Sequence, residues 1–203
     1  MNKSSKTSKK EKGVWPLPKD RGRMVPSKGS PGSFWEDRQD RRHCGVDLYA
    51  DPGSKVVSIE EGLVLEVGIF TSPQIIPYWN ETSYVLVENE IGLLAKFSEL
   101  VEVEVRVGDR LSSGQMVGQV GSVLNPENID DDAPAYIKRL KDAGDSSMLH
   151  FELYRSRPRV SERYLGGNWF GHRKPEGLLD PTDHLVAISE GIEHSNSWPD
   201  AAD

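Results

Sequence analysis

The sequence predicts a mainly β domain in which short strands pair as antiparallel hairpins around one short helical segment. Three observations predict it. Val101-Glu102-Val103-Glu104-Val105-Arg106-Val107 alternates apolar and charged residues without a break, the period of a strand with one face buried. Runs rich in β-branched residues recur between Gly, Asn and Asp turn signals. A single segment, 132–144, carries helix start and stop signals.

Residues 1–13 contain five lysines and no apolar residue after Met1, so they are expected as a disordered basic leader that cannot offset its ordering entropy. Residues 14–35, with Trp15-Pro16-Leu17-Pro18 and Phe34-Trp35, are expected as irregular chain packed on a core spanning 36–187. Val56–Ile59 and Gly62–Val67 predict a hairpin turning at Glu60-Glu61-Gly62. Ser83–Val87 and Leu93–Phe97 predict a second. The alternating valine strand follows with its valines inward, and Gly108-Asp109 turns the chain. Gln115–Val120 and Leu149–Tyr154 supply the last strands. Within an insert at 122–147, Asp132 is expected to cap a helix with Pro134 early, Lys141 late and Gly144 as its stop. Asp130-Asp131-Asp132 lacks the spaced oxygens of a calcium loop and reads as a solvated helix start. Residues 188–203 read as a loose tail.

The 203 residues carry 25 Lys+Arg against 32 Asp+Glu, a net charge of −7. The leader is basic, so the acidic excess falls on the body, which excludes broad binding to nucleic acid through phosphate neutralisation. One cysteine, Cys44, excludes an intrachain disulfide and reads as a buried, inert thiol. No stretch approaches the roughly 18 apolar residues of a membrane span. The first thirty residues lack the apolar run of a secretory signal, so a cytoplasmic location is expected by default, or an extracytoplasmic one if the chain is trimmed.

Chemistry concentrates in two places. In His43-Cys44-Gly45-Val46-Asp47 an extended backbone projects His43 and Asp47 to one side, with Gly45 leaving room between them. In Met148-Leu149-His150-Phe151-Glu152 a strand puts Met148, His150 and Glu152 on one face and the apolar residues on the other. Taken singly, each histidine reads as an ordinary surface or core residue, and His172 and His184 are assigned there. Taken together, His43, Asp47 and His150 describe an open three-ligand zinc site whose bound water would be acidified, with Glu152 orienting an imidazole. Asn80-Glu81-Thr82 has the glycosylation pattern but reads as a loop. Tyr78-Trp79 reads as a groove lining or as core packing.

Several collinear blocks resemble one family. His43-x-Gly45-Val46-Asp47, Pro52-Gly53-Ser54-Lys55-Val56, Glu61-Gly62-Leu63-Val64, Val107-Gly108-Asp109, Gly114-Gln115-Met116-Val117-Gly118, Leu149-His150-Phe151-Glu152-Leu153 and Leu179-Asp180-Pro181 are similar to the lysostaphin/LytM-type zinc endopeptidases. The resemblance implies an antiparallel β-sheet fold with a groove, a zinc ion held by His43, Asp47 and His150, and a peptide or peptidoglycan-like ligand. It also implies two catalytic histidines that this chain lacks. Met148 stands at the first position of the family's His-x-His. For the Tyr-x-His-Leu-type strand, the matching stretch Leu94–Glu99 puts Lys96 at the histidine position. A thioether transfers no proton, so the favoured reading is a zinc-holding, peptide-binding domain with weak or no hydrolysis. Two others stand beside it: an active endopeptidase in which Lys96, Glu152 or an insert residue substitutes, and a non-catalytic interaction module.

Overall fold

The computed structural model describes residues 13–18, 24–144 and 146–191. Most of the expected leader and of the expected tail, with His194, lies outside the described residues. The strands are β1 (Arg42–His43), β2 (Val46–Tyr49), β3 (Lys55–Val57), β4 (Gly62–Thr71), β5 (Thr82–Asn89), β6 (Leu94–Val101), β7 (Arg110–Leu111), β8 (Met116–Val120), β9 (Met148–Tyr154), β10 (Tyr164–Leu165), β11 (Asn168–Trp169) and β12 (Leu178–Leu179). Two helices, α1 (Ala135–Ala143) and α2 (Thr182–Glu190), accompany them. The large sheet runs β12-β9-β6-β5-β4-β7, with β2 also on β9 and β8 joining β6 to β3; β1, β11 and β10 form a small second sheet. Every described pairing is antiparallel. The fold is therefore the mainly antiparallel β architecture that the sequence predicts.

Period-two alternation divides the sheet into two faces. Val46, Leu48, Val85, Val87, Phe97, Leu149, Phe151 and Leu153 point into the main core, where Trp15, Leu17, Leu185 and Ile188 join them. The opposite face is polar at its centre. Register sets Asp47 opposite His150, His150 opposite Ser98, and Ser98 opposite Tyr84. The next row along aligns Glu152, Lys96, Leu86 and Glu66. Asp47, His150, Lys96 and Glu152 are thus read from two cross-strand rows, while Met148 pairs with Tyr49 one row beyond and His43 lies in the small sheet.

The insert is closed at its base by a bridge between Ser122 and Ser147. Its helix ends at Gly144, whose left-handed backbone (φ 70°) returns its N–H to Leu140 and Lys141, the expected glycine stop. At the other end Pro134, not Asp132, is the capping residue, and no side chain caps the helix. Tyr136, Ile137 and Leu140 form the buried stripe of α1, packed with Trp79, Leu124 and Met148 in a second apolar cluster. Trp79 is thus core, and Asn80 spends its amide on the Ser122 and Leu124 carbonyls.

Two local expectations fail. The hairpin at Glu60-Glu61-Gly62 does not form: β3 pairs with β8, while β4 pairs with β5 and β7. Val57 N–H is taken by the Pro16 carbonyl and Ser58 N–H by that of Gln115, so distant partners satisfy the groups that a local hairpin needs. The valine strand also stops early. Glu102 adopts φ 47°, which ends β6 at Val101; Val105 is still buried and Val103 packs on the core, but Glu102–Val107 has left the ladder. Val107, expected inward, is exposed, so the alternation reports the burial of Val105 and the packing of Val103, not sheet pairing.

Candidate metal centre

His43 and Asp47 come from β1 and β2, either side of a connection held by Cys44 N–H on the Gly167 carbonyl and Asp47 N–H on that of Gly32. His150 arrives from the middle of β9. Three donor atoms meet: His43 Nε2 lies 3.0 Å from His150 Nδ1 and 3.0 Å from Asp47 Oδ1, and His150 Nδ1 lies 2.9 Å from Asp47 Oδ1. All three side chains are buried. A Cβ on Gly45 would stand 2.9 Å from the His150 ring and closer still to the Phe151 carbonyl; a Cβ on Gly167 would stand 2.6 Å from that ring. The two glycines make the slot that the imidazole occupies, and Phe70 stacks on it at 5.4 Å.

The outer bonds decide which nitrogens face inward. His43 Nδ1 is 2.9 Å from the Ser33 carbonyl, which only accepts, so that nitrogen donates and Nε2 keeps its lone pair. His150 Nε2 is 2.9 Å from Glu152 Oε1, so it donates and Nδ1 faces the triangle. Arg38 takes the other oxygen of Asp47 at 3.1 Å while bonding Glu36 and Asn168. Two imidazole nitrogens and a carboxylate oxygen converging on one point form a donor set that a divalent cation can fill. Zinc ligands at about 2.0–2.1 Å in tetrahedral array sit roughly 3.3 Å apart, close to this spacing, and three protein ligands leave one position open. The residues fit the ion.

Electrostatics agree. Burial works to raise the Asp47 carboxyl, but His43 and His150 outweigh it and hold the group well below the usual carboxylate range. Burial, reinforced by Arg38, lowers His43. Burial also opposes charge on His150, yet hydrogen bonds to Asp47 and Glu152 raise it to about 9. A proton on His150 thus fills the triangle in the metal-free chain, and a metal must displace it. Burial pushes the Cys44 thiol up, out of reach of reaction.

Lys96 does not enter this site. Its Nζ donates to Tyr164 Oη at 2.6 Å and lies 3.4 Å from Glu152 Oε2, on the Nε2 side of His150. The residue brought to the triangle is Glu99. Ser83 pairs with Leu100 and Tyr84 with Ser98, so Glu99 is the extra residue of a β-bulge, in a left-handed conformation (φ 63°) that re-aims its side chain. It lines a cavity of about 30 Å³ with Asp47, His150, Arg38, Thr71 and Met148, room for a water molecule. Oε2 of Glu99 and Oγ of Ser98 are buried without a hydrogen-bond partner among the described residues. Burial, with Asp47 nearby, raises the Glu99 carboxyl to about 8. The signal for it was present: Phe97-Ser98-Glu99-Leu100 matches aromatic-x-site-Leu better than a reading centred on Lys96. Met148, at the other histidine position, is packed among the apolar side chains of the insert. His172 is exposed and His184 is buried on α2, 3.4 Å from Glu60.

The insert covers the triangle. Tyr136 lies on the Arg38 guanidinium at 4.5 Å, and Arg139 pairs with Glu36 at 3.1 Å. Residues 41–161 match the family model described as peptidase family M23, well over half the chain. The chain belongs to peptidase family M23. One curated M23-like relative is the glycyl-glycine endopeptidase ALE-1 of Staphylococcus capitis, 34% identical over 80 residues. That match covers 39% of this chain and 20% of the relative, so the chain spans about a fifth of its length. Among solved structures the chain is similar to the catalytic domain of lysostaphin from Staphylococcus simulans (18% identity, TM-score 0.43, covering 71% of this chain and 80% of that one). It is also similar to a zinc-containing peptidase from Vibrio cholerae (21% identity, TM-score 0.46, 73% and 39%). No helix among the described residues is long and apolar enough to cross a membrane.

Proposed function

We propose that this M23 domain holds one zinc ion through His43 Nε2, Asp47 Oδ1 and His150 Nδ1, binds a peptide related to bacterial cell-wall cross-bridges or stems, and hydrolyses it slowly or not at all. The observation that carries the reading is the donor triangle lying beneath α1 with no further imidazole around it among the described residues. A bound zinc supplies a Lewis acid and an acidified water. The protein's own groups do the rest. Arg38 fixes one Asp47 oxygen so that the other faces inward, and Glu152 fixes the tautomer of His150. Met148 handles no proton, and Lys96 is spent on Tyr164 and Glu152. Losing a general acid or base costs a typical enzyme 10²–10⁴-fold, and α1 also blocks approach to the metal from its side.

Metal analysis after equilibration with zinc tests the first half. One zinc per chain is expected, falling near zero in His150→Ala; a value near zero in the wild type refutes it. Incubation with pentaglycine and with muropeptides tests the second half, with no turnover expected. A second reading rests on Glu99: a working peptidase in which that carboxylate accepts the proton once α1 lifts. Turnover abolished by a chelator, by Asp47→Ala and by Glu99→Gln would select it.

A further inference from the structure

A second cavity, of about 880 Å³, opens on the same sheet face as the metal triangle. Its floor is the cross-strand row of Lys96, Leu86 and Glu66 with Tyr84 and Tyr154, and its walls are residues 156–161, Arg163 and residues 173–176. Phe70 is the partition, lining the cavity on one side and stacking on His150 on the other. The volume is that of a ligand site.

Its charge runs against the rest of the molecule. Arg159, Arg163, Arg173 and Lys174 line it, all four exposed and none in an ion pair with a described residue, in a chain of net charge −7. Arg157 is already paired with Glu66, which leaves Glu176 as the remaining acid of the lining. Four unneutralised cations around one concavity repel one another and focus a positive potential that favours an anion. Three are arginines, whose planar fork matches a carboxylate with two parallel hydrogen bonds. The apolar part of the lining, Ile69, Val160 and Trp169, suits side chains rather than a bare ion. The indole N–H of Trp169 is held on the Arg173 carbonyl at 2.9 Å, so ring and guanidinium-bearing backbone keep their relative place.

We propose that this cleft is a binding site for a short peptide bearing two or more carboxylates, gripped by Arg159, Arg163, Arg173 and Lys174 beside the covered metal centre. That the ligand is a peptide rests on the M23 reading above; the carboxylates rest on the cleft. Such a peptide would be retained on the open half of the sheet face while α1 keeps it off the metal, which fits a domain that binds more than it cuts.

Calorimetric titration of the full, zinc-equilibrated chain tests this with two probes, Ac-Ala-Glu-Ala-Glu as the free acid and its Gln-containing C-terminal amide. The acidic peptide is expected to bind at least about tenfold tighter at low salt and to weaken as salt is raised. The exposed double substitution Arg163→Glu/Arg173→Glu is expected to remove that preference, whereas Arg106→Glu, exposed and outside the cleft, changes affinity less than twofold. Circular dichroism and Tm identify any variant that has lost its fold; Arg159→Gln/Lys174→Gln is then the second pair. Equal affinity for both peptides, indifference to both pairs, no binding, or tighter competition by polyphosphate each overturns the proposal. Zinc uptake without peptide binding sinks the cleft and leaves the metal reading standing; peptide binding by a chain that takes no zinc does the reverse.

Discussion

Glu99→Gln separates the electrostatic cost of the bulge from its shape. The carboxyl is buried, has an unpartnered oxygen, and titrates near 8 against an ordinary 4.5. A raised acid keeps its proton in the fold after the unfolded chain has lost it. Its neutral form therefore contributes fully below pH 4.5, and stability drains away as pH rises through 8. At about 1.4 kcal/mol per unit, the ionisable side chain costs about 1 kcal/mol at pH 5.5, about 3 at pH 7 and about 5 above pH 8. Glutamine fills the same space and never ionises. Urea unfolding of chelator-treated protein should thus show Glu99→Gln more stable than wild type, by a margin that widens by about 3–4 kcal/mol between pH 5.5 and 8.5. Zinc should narrow the margin, because a dication beside the cavity favours the ionised carboxylate. A margin that stays constant with pH refutes the reasoning, since it would mean that Glu99 is solvated or paired in solution.

Zinc affinity, read by competition with a chromophoric chelator, should rise about tenfold per pH unit between 7 and 9, because one proton leaves His150 for each metal bound; a flat profile contradicts the assigned donor atoms. Gly45→Ala should abolish zinc uptake and lower stability by about 2–4 kcal/mol in urea unfolding, because the methyl group meets the Phe151 carbonyl and the His150 ring; a variant that still binds one zinc shows that the slot is not tight. Arg38→Met should destabilise by about 3–5 kcal/mol, because Glu36 and Asp47 lose the buried guanidinium they share; unchanged stability shows that Arg139 suffices for Glu36 and His150 for Asp47. The double substitution Met148→His/Glu99→His should create peptide hydrolysis from none; continued inactivity places the block in α1 rather than in the missing imidazoles.

What was legible in the sequence is what strand geometry makes local. His150 and Glu152 share a face because the side-chain period is two; His43 and Asp47 lie close in sequence but on separate strands, and the break at Cys44-Gly45, not an unbroken extended run, brings them together. The resemblance to known metallopeptidases then joined segments more than a hundred residues apart, which no local pattern does. Glu99 was missed because the Tyr-x-His-Leu-type match was centred on Lys96, although Phe97-Ser98-Glu99-Leu100 fits that pattern better; where the Glu99 side chain points is set by its bulge and left-handed backbone, which no periodicity shows. The second expected hairpin is found as β5 and β6, but the first is not: Val56–Ile59 has a good local hairpin signal, yet β3 pairs with β8, and the Pro16 and Gln115 carbonyls take the Val57 and Ser58 N–H groups.

The insert and the cleft make sense together through Glu152. This carboxylate is held by Tyr154 and Tyr164 at 2.6 and 2.7 Å, accepts from His150, and lies 3.4 Å from Lys96. Lys96 and His150, aided by Tyr154, keep it ionised against its burial. It therefore faces the metal centre through His150 and the cleft floor through Lys96. Phe70 stands between the cleft and His150, and α1 lines the other side of the triangle. The same polar chain that fixes the zinc-facing imidazole also fixes the lysine and tyrosine beneath the cleft. One polar chain thus supports both the proposed metal site and the proposed cleft, while side chains of α1 fill the space beside the donor triangle.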